Sequence, residues 1–183
     1  MQVTVQDILN ATKGRLLNGN ADTVINGFFT NSREIDSLPF KNALFVPIIG
    51  ERVDAHNFIP QVVEAGAKAF FIKKGHELSS DIGETAAIEV EDTEAALLDM
   101  GLWYRKQFNI PFIGITGSVG KTTTKEMVAA ALSSINVHKT KGNANSTIGL
   151  PLTLFGLEPC NEAAIIEMGI SEFHEMEKLA EAG

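Results

Sequence analysis

The segment "GITGSVGKTTTKEM", from Gly114 to Met127, contains the residue types that bind a phosphate chain. An apolar run precedes its glycine-rich turn and a helical run follows, so we predict a strand, a loop and a helix in succession. Such a loop directs several backbone N–H groups, together with the positive end of the helix dipole, at one point. The segment therefore predicts a site for a nucleoside triphosphate.

Single residues of this loop have separate tasks. Gly117 and Gly120 allow the backbone to approach a ligand closely, Lys121 can reach the β and γ phosphates, and the Thr122 hydroxyl can bind Mg²⁺. The eight-residue phosphate-loop motif is incomplete, because its first glycine would fall on Ile115. A glycine-rich turn that binds nothing is the alternative, and the Lys-Thr pair in this context argues against it. The predicted ATP-binding residues are Thr116, Gly117, Ser118, Val119, Gly120, Lys121, Thr122 and Thr123.

A carboxylate follows a second apolar run, "AAIIEMG", in which Glu167 lies near the end of a predicted strand. In open parallel sheets, ligands bind at the carboxyl ends of the strands. Carboxylate oxygens are ligands that Mg²⁺ accepts, directly or through water. The sequence therefore predicts that Glu167 contributes to a magnesium site, and the alternative is an exposed glutamate at a strand end.

Composition limits the classes of partner. The 15 basic and 23 acidic residues give a formal net charge of −8, which makes a nucleic-acid partner unfavourable. No apolar run reaches the roughly 20 residues of a membrane span, so we expect no membrane partner. Cys160 is the single cysteine, which excludes an intramolecular disulfide and fits a reducing, cytoplasmic location.

Strand and helix patterns alternate along the 183 residues. The early strands are predicted at "TVINGFF", "ALFVPII", "AFFIKK" and "AAIEV", and a helix is capped by Thr4. We expect an α/β protein with a small mixed α/β domain at 1–90, a connecting helix at 91–110, and the start of a P-loop domain with a parallel sheet at 111–183. The second domain offers about three strands, so its sheet is predicted to be incomplete.

Three segments resemble the Mur ligase family, which joins amino acids or dipeptides to nucleotide-linked muramic acid. "GITGSVGKTTTKEM" is similar to the family's ATP loop, and "AIIEMGIS" to its metal-binding strand end. "TKGNANSTIGLPLTLF" resembles the segment of the member that adds D-alanyl-D-alanine. The stretch from Thr30 to Ile72 is similar to the domain that holds the UDP end of the substrate.

The resemblance implies an ATP- and Mg²⁺-dependent ligase that joins UDP-N-acetylmuramoyl-tripeptide to D-alanyl-D-alanine through an acyl phosphate. It implies catalytic roles for Lys121 and Glu167, with Thr122 and Glu167 binding the metal. Asn143 and Asn145 are expected to contact the substrate, and so are Ser32 and Arg33 in the first domain. The alternatives are that the asparagines form a turn beside Gly142 and that Ser32 and Arg33 form a solvated polar turn.

Other assignments stay open at the level of the sequence. Another Mur ligase shares the ATP loop, as does folylpolyglutamate synthase, although the latter lacks the UDP-type domain. A nucleotide-binding module without ligase chemistry is a further alternative. If the chain is an incomplete fragment of a monomeric ligase, we expect it to bind nucleotide weakly and not to ligate by itself.

Overall fold

The computed structural model of the chain describes residues 1–38, 41–78, 81–142 and 144–169. The residues divide into two compact units, Met1–Met100 and Gly101–Gly183. This division falls inside the helix that follows the first sheet, within the predicted connecting segment 91–110. The functions and the residue bounds that we predicted for the domains remain predictions.

The first unit contains a five-stranded sheet and a separate two-stranded one. Its strands are β1 (Val3–Thr4), β2 (Arg15–Asn18), β3 (Val24–Ile25), β4 (Gly27–Phe29), β5 (Ala43–Phe45), β6 (Ala69–Lys73) and β7 (Ala86–Val90). In the larger sheet the order is β2-β7-β6-β5-β4, with β4 to β7 parallel and β2 antiparallel to β7. The carboxyl ends of the four parallel strands therefore lie along one edge.

Between these strands, the described residues form two helices and two 3₁₀ turns. Helix α1 (Val5–Thr12) begins at Thr4, whose hydroxyl accepts a hydrogen bond from the Asp7 backbone while the Asp7 carboxylate accepts one from the Thr4 backbone. The turns are Ser32–Ser37 and Ala55–Phe58, and helix α2 is Ile59–Glu64. Apolar side chains from the sheet pack with α2 in a common core: Phe29, Phe45, Ile59, Val62, Phe70 and Ile72.

In the described part of the second unit, three strands form a parallel sheet. Helix α3 (Thr93–Arg105) contains the division between the units. The elements after it are β8 (Phe112–Ile115), α4 (Lys121–Ala131), β9 (Val137–Lys139), α5 (Gly149–Leu154) and β10 (Ala163–Glu167). The sheet order is β8-β10-β9, and β10 is parallel to both neighbours. The last strand of the described residues is thus the central one.

The structure confirms the predicted α/β class and the parallel sheet around the glycine-rich loop. Two details differ. The single strand predicted at "TVINGFF" is wrong, because β3 pairs with β1 while β4 pairs with β5 in the other sheet. Strands β1 and β2 were not predicted from the sequence. None of the helices among the described residues combines the length and hydrophobicity that a bilayer span requires.

Candidate nucleotide and metal site

The glycine-rich loop joins β8 to α4, as the sequence predicts. Gly117 has φ 145° and Gly120 has φ 79°, a range that strongly favours glycine. Gly120 is the N-cap of α4, and no side chain caps the helix there. The first N–H groups of α4 therefore remain available to an anion.

Each predicted loop residue is placed at this strand-to-helix junction. The segment from Thr116 to Gly120 is exposed, and Val119 at its tip is 87% exposed. Thr122 and Thr123 are exposed in the first turn of α4. The Lys121 ammonium turns back over the loop and donates a hydrogen bond to the carbonyl oxygen of Gly117 at 2.7 Å. A phosphate chain would compete with that carbonyl for the ammonium group.

Glu167 is the last residue of the central strand β10, and its side chain is 2% exposed. Its register partner is Ile115, the residue that ends β8 just before the loop. This pairing brings the carboxylate next to the start of α4, where the Thr122 hydroxyl lies 3.2 Å from Oε2 and 3.4 Å from Oε1. The alternative of an exposed strand-end glutamate is wrong.

The Thr122 hydroxyl and the Glu167 carboxylate fit a Mg²⁺ ion by ligand type and spacing. Mg²⁺ takes oxygen ligands in an octahedron at about 2.1 Å, so two adjacent ligand oxygens lie about 3.0 Å apart. The observed separations of 3.2 and 3.4 Å are close to that value. These two side chains are therefore able to hold the metal together.

Asn145 also lies at this site. Its side-chain amide donates a hydrogen bond to Glu167 Oε1 at 3.0 Å, and its backbone carbonyl accepts one from the Gly169 N–H at 2.7 Å. The residue is half-buried and orients the carboxylate. Asn143, for which we predicted a substrate contact, lies outside the described residues. The contact of Asn145 with substrate stays a prediction.

Ser32 and Arg33 begin the 3₁₀ turn that follows β4, at the carboxyl edge of the first unit's parallel strands. The Asn31 side chain caps this turn by accepting a hydrogen bond from the Arg33 N–H at 3.2 Å. Ser32 is 8% exposed, whereas Arg33 is exposed. The edge position suits a ligand-binding arginine, but a polar turn explains the same geometry, so the substrate role of both residues stays a prediction.

Sequence comparison adds an independent observation on the same segments. The Mur ligase middle domain matches residues 115–182, which contain the loop and Glu167. The UDP-N-acetylmuramoyl-tripeptide–D-alanyl-D-alanine ligase of Synechocystis sp. is 45% identical over 155 residues, or 84% of this chain. The Bacillus subtilis ligase of the same name is 39% identical over 179 residues, or 97% of this chain. The chain belongs to the Mur ligase family.

Solved Mur ligase structures share the fold. A crystal structure of MurF from Acinetobacter baumannii matches 100% of this chain with a TM-score of 0.87 at 32% identity. MurF from Thermotoga maritima, crystallised in complex with ADP, matches 85% with a TM-score of 0.73 at 30% identity. The chain spans 33% and 38% of the lengths of the Synechocystis and Bacillus relatives and 39% of the Acinetobacter chain.

Lys125 also lies at this site of the Mur ligase chain, and we did not predict it from the sequence. Lys125 is 2% exposed, and its ammonium group lies 3.4 Å from Glu167 Oε2. The sequence shows it as one of several lysines near the loop. The sequence feature that could have indicated Lys125 is its spacing of four residues from Lys121, because that spacing places both lysines on one face of a helix. Its burial depends on the contact with β10, which the sequence does not reveal.

The first unit contains a cluster of Asp54, His56 and His76 that we did not predict from the sequence. Both rings face the Asp54 carboxylate: His56 Nδ1 lies 2.6 Å from Oδ1, and His76 Nε2 lies 3.0 Å from Oδ2. The two rings stack with centroids 4.0 Å apart. His56 Nε2 accepts a hydrogen bond from the Lys73 backbone N–H at 3.1 Å. Asp54 also caps the 3₁₀ turn Ala55–Phe58, because its side chain accepts a hydrogen bond from the His56 backbone N–H at 2.9 Å.

These contacts shift the ionisation of Asp54 and His56. Partial burial opposes a negative charge on Asp54, but hydrogen bonds from the His56 backbone and from the His76 and His56 rings outweigh it and lower the pKa of Asp54 to about 2. Burial lowers the pKa of His56, although the Asp54 carboxylate partly offsets that effect. The cluster therefore favours a negative Asp54 and a neutral His56.

Proposed function

We propose that this chain carries the nucleotide-binding and UDP-substrate-binding parts of an ATP-dependent ligase. The reaction joins UDP-N-acetylmuramoyl-tripeptide to D-alanyl-D-alanine in the synthesis of peptidoglycan precursors. The names of the relatives support the choice of substrates. The observation that carries the proposal is the buried Glu167 carboxylate beside Thr122, directly behind a glycine-rich loop. A cytoplasmic location goes with it, because ATP is the phosphoryl donor.

The proposed chemistry has two steps. A carboxylate oxygen of the muramoyl peptide attacks the γ-phosphorus of ATP, which forms an acyl phosphate and releases ADP. The amine of D-alanyl-D-alanine then attacks the acyl carbon, loses a proton and displaces phosphate, which leaves the new amide. The protein's main task in phosphoryl transfer is to position the groups and to offset negative charge.

Residues of the second unit divide this task. Lys121 exchanges its hydrogen bond to the Gly117 carbonyl for one to the β or γ phosphate, and the free N–H groups at the start of α4 bind the phosphate chain. Thr122 and Glu167 would hold Mg²⁺, which when bound offsets charge on the transferred phosphoryl group. Asn143 and Asn145 in this unit, and Ser32 and Arg33 in the first, would contact the muramoyl substrate.

Calorimetric titration of Mg·ATP into the wild type and Lys121→Ala tests the nucleotide site. Loss of a hydrogen bond to a charged group costs about 1.5 to 3 kcal/mol, so we expect affinity to fall about ten- to hundredfold. Lys106→Ala serves as a matched control, because Lys106 is an exposed lysine away from the loop. Equal affinity of the wild type and Lys121→Ala would contradict the proposed role of the loop.

A further inference from the structure

Lys121 and Lys125 lie one turn apart in α4 but have opposite environments. Lys121 is partly exposed and contacts the loop, whereas the Lys125 side chain is 2% exposed. A lysine is almost never fully buried unless an opposite charge accompanies it. That charge is Glu167, whose side chain is also 2% exposed and whose Oε2 lies 3.4 Å from the Lys125 ammonium.

The Glu167 carboxylate is held on both of its oxygens. Asn145 donates to Oε1 at 3.0 Å, and Lys125 lies at Oε2. The Glu167 backbone N–H also donates to the Thr140 hydroxyl at 2.9 Å, which fixes the end of the strand. The Thr122 hydroxyl faces both oxygens. Lys125 therefore offsets the charge of the same carboxylate that the proposed metal would use.

We propose that Lys125 is a built-in counter-ion that makes divalent-metal binding at Thr122 and Glu167 depend on the nucleotide. This inference rests on the proposed function. A metal ion that arrives alone meets the positive charge of Lys125 at the carboxylate, and because both of these side chains are only 2% exposed, water screens the charge repulsion weakly. A metal ion that arrives with a nucleotide brings several phosphate charges, which outweigh the single lysine. Lys125 is thus a positioning and selectivity residue for the metal.

The second acidic neighbour of Lys125 does not replace Glu167. Glu126 Oε1 lies 3.8 Å from the Lys125 ammonium, and the Glu126 side chain is 52% exposed and also pairs with Lys139. An exposed ion pair at that distance is weak because water screens it. The buried partner of Lys125 is therefore Glu167, and a neutral side chain at position 125 would leave that carboxylate with an uncompensated charge.

Titration of Mn²⁺ alone, followed by the electron paramagnetic resonance signal of the free ion, tests this inference. Lys125→Gln removes the charge but keeps a hydrogen-bond donor, and Lys125→Arg keeps the charge. In the absence of nucleotide, we expect Lys125→Gln to bind Mn²⁺ with an affinity about tenfold or more above that of the wild type, because the repelling charge is gone. Lys125→Arg should resemble the wild type. Lys125→Gln combined with Glu167→Gln should lose the gain.

If Lys125→Gln is less stable than the wild type, melting temperatures with and without Mn²⁺ give a second measurement of metal binding. Mn²⁺ should raise the melting temperature of Lys125→Gln and leave that of the wild type unchanged, since a ligand of the folded state stabilises it. Tight nucleotide-free Mn²⁺ binding by the wild type overturns the inference, whatever the fold of the variant. So does an equal gain in Lys125→Arg.

Titration with Mn·ADP separates this inference from the proposed function. If the wild type binds no Mn·ADP, the proposed nucleotide site itself is wrong. If the wild type binds Mn·ADP but Lys125→Gln does not bind Mn²⁺ more tightly than the wild type in the absence of nucleotide, only the counter-ion role of Lys125 is contradicted.

Discussion

At the scale of single residues, the hydrogen bonds of His56 define its protonation and its role. Its Nε2 accepts a hydrogen bond from the Lys73 N–H, so the ring hydrogen is on Nδ1 and is donated to Asp54. A metal ligand would need a free lone pair on one ring nitrogen. Although Asp54, His56 and His76 are close enough to surround an ion, His56 is therefore a structural hydrogen-bonding residue.

Asp54 and His56 make the stability of the fold depend on pH. The pKa of His56 is lower in the folded state, so the unfolded chain takes up its proton first and stability falls as the pH drops below about 6.5. The pKa of Asp54 is also lowered, from 3.8 to about 2, so its contribution is present above about pH 4 and is lost as the pH falls toward 2. Both groups therefore weaken the fold on acidification.

Denaturant unfolding of His56→Gln at pH 7.5 and pH 5 separates the contribution of His56. At pH 7.5 we expect the variant to be less stable by about 1 to 3 kcal/mol, because buried polar groups lose partners. The gap should narrow at pH 5, since only in the wild type does the unfolded chain take up a proton on His56 and so lower the stability. His138, whose pKa burial also lowers, is present in both proteins and cancels in the difference. A gap that is constant or widens would contradict this account.

At the scale of elements, Gly101 in α3 illustrates how packing outweighs helix propensity. An alanine in a helix interior is favoured over glycine by about 1 kcal/mol. A Cβ atom at position 101, however, would lie 2.6 Å from Pro151 Cβ and 2.9 Å from Pro151 Cα in α5. The proline Cα belongs to the backbone and cannot rotate away, so α3 and α5 would have to separate.

We expect Gly101→Ala to destabilise the second unit by about 1 to 3 kcal/mol, the usual cost of overpacking. Gly101→Ser, with one more atom, should cost more. Urea unfolding followed by circular dichroism measures both variants. A gain in stability for Gly101→Ala would show that propensity dominates and that the helices are not in tight contact.

Elements with local signals were predictable, and those that depend on pairing were not. Thr4 and the apolar run before Glu167 identified the start of α1 and the strand β10 from a few neighbouring residues. Strand β2, with the sequence "RLLN", has no clear alternation and exists through its pairing with β7. The same holds for the candidate site. The loop and Glu167 could be predicted from neighbouring residues, whereas the burial of Lys125 arises only when α4 packs on β10.

At the scale of the whole molecule, we expect the two units to contain different kinds of site. The chain has a formal net charge of −8, yet the second unit presents Lys121, a free helix N-terminus and a paired Lys125–Glu167 at one place. When an anion binds, these local positive groups thus offset its repulsion by the negative net charge of the chain. The first unit has Ser32 and Arg33 at the carboxyl edge of its own parallel strands. We therefore expect the second unit to bind the adenine nucleotide and the first unit to bind the UDP end of the muramoyl substrate.

Amide chemical-shift mapping of the chain with Mg·ADP and, separately, with UDP-N-acetylmuramic acid shows which residues each ligand contacts. We predict that Mg·ADP shifts the amides of Gly117 to Thr123 and of Glu167 in the second unit. UDP-N-acetylmuramic acid should shift those of Ser32, Arg33 and the Gly50–His56 segment in the first unit. UDP-N-acetylmuramic acid shifts confined to the second unit, or Mg·ADP shifts that leave the glycine-rich loop unchanged, would contradict these assignments.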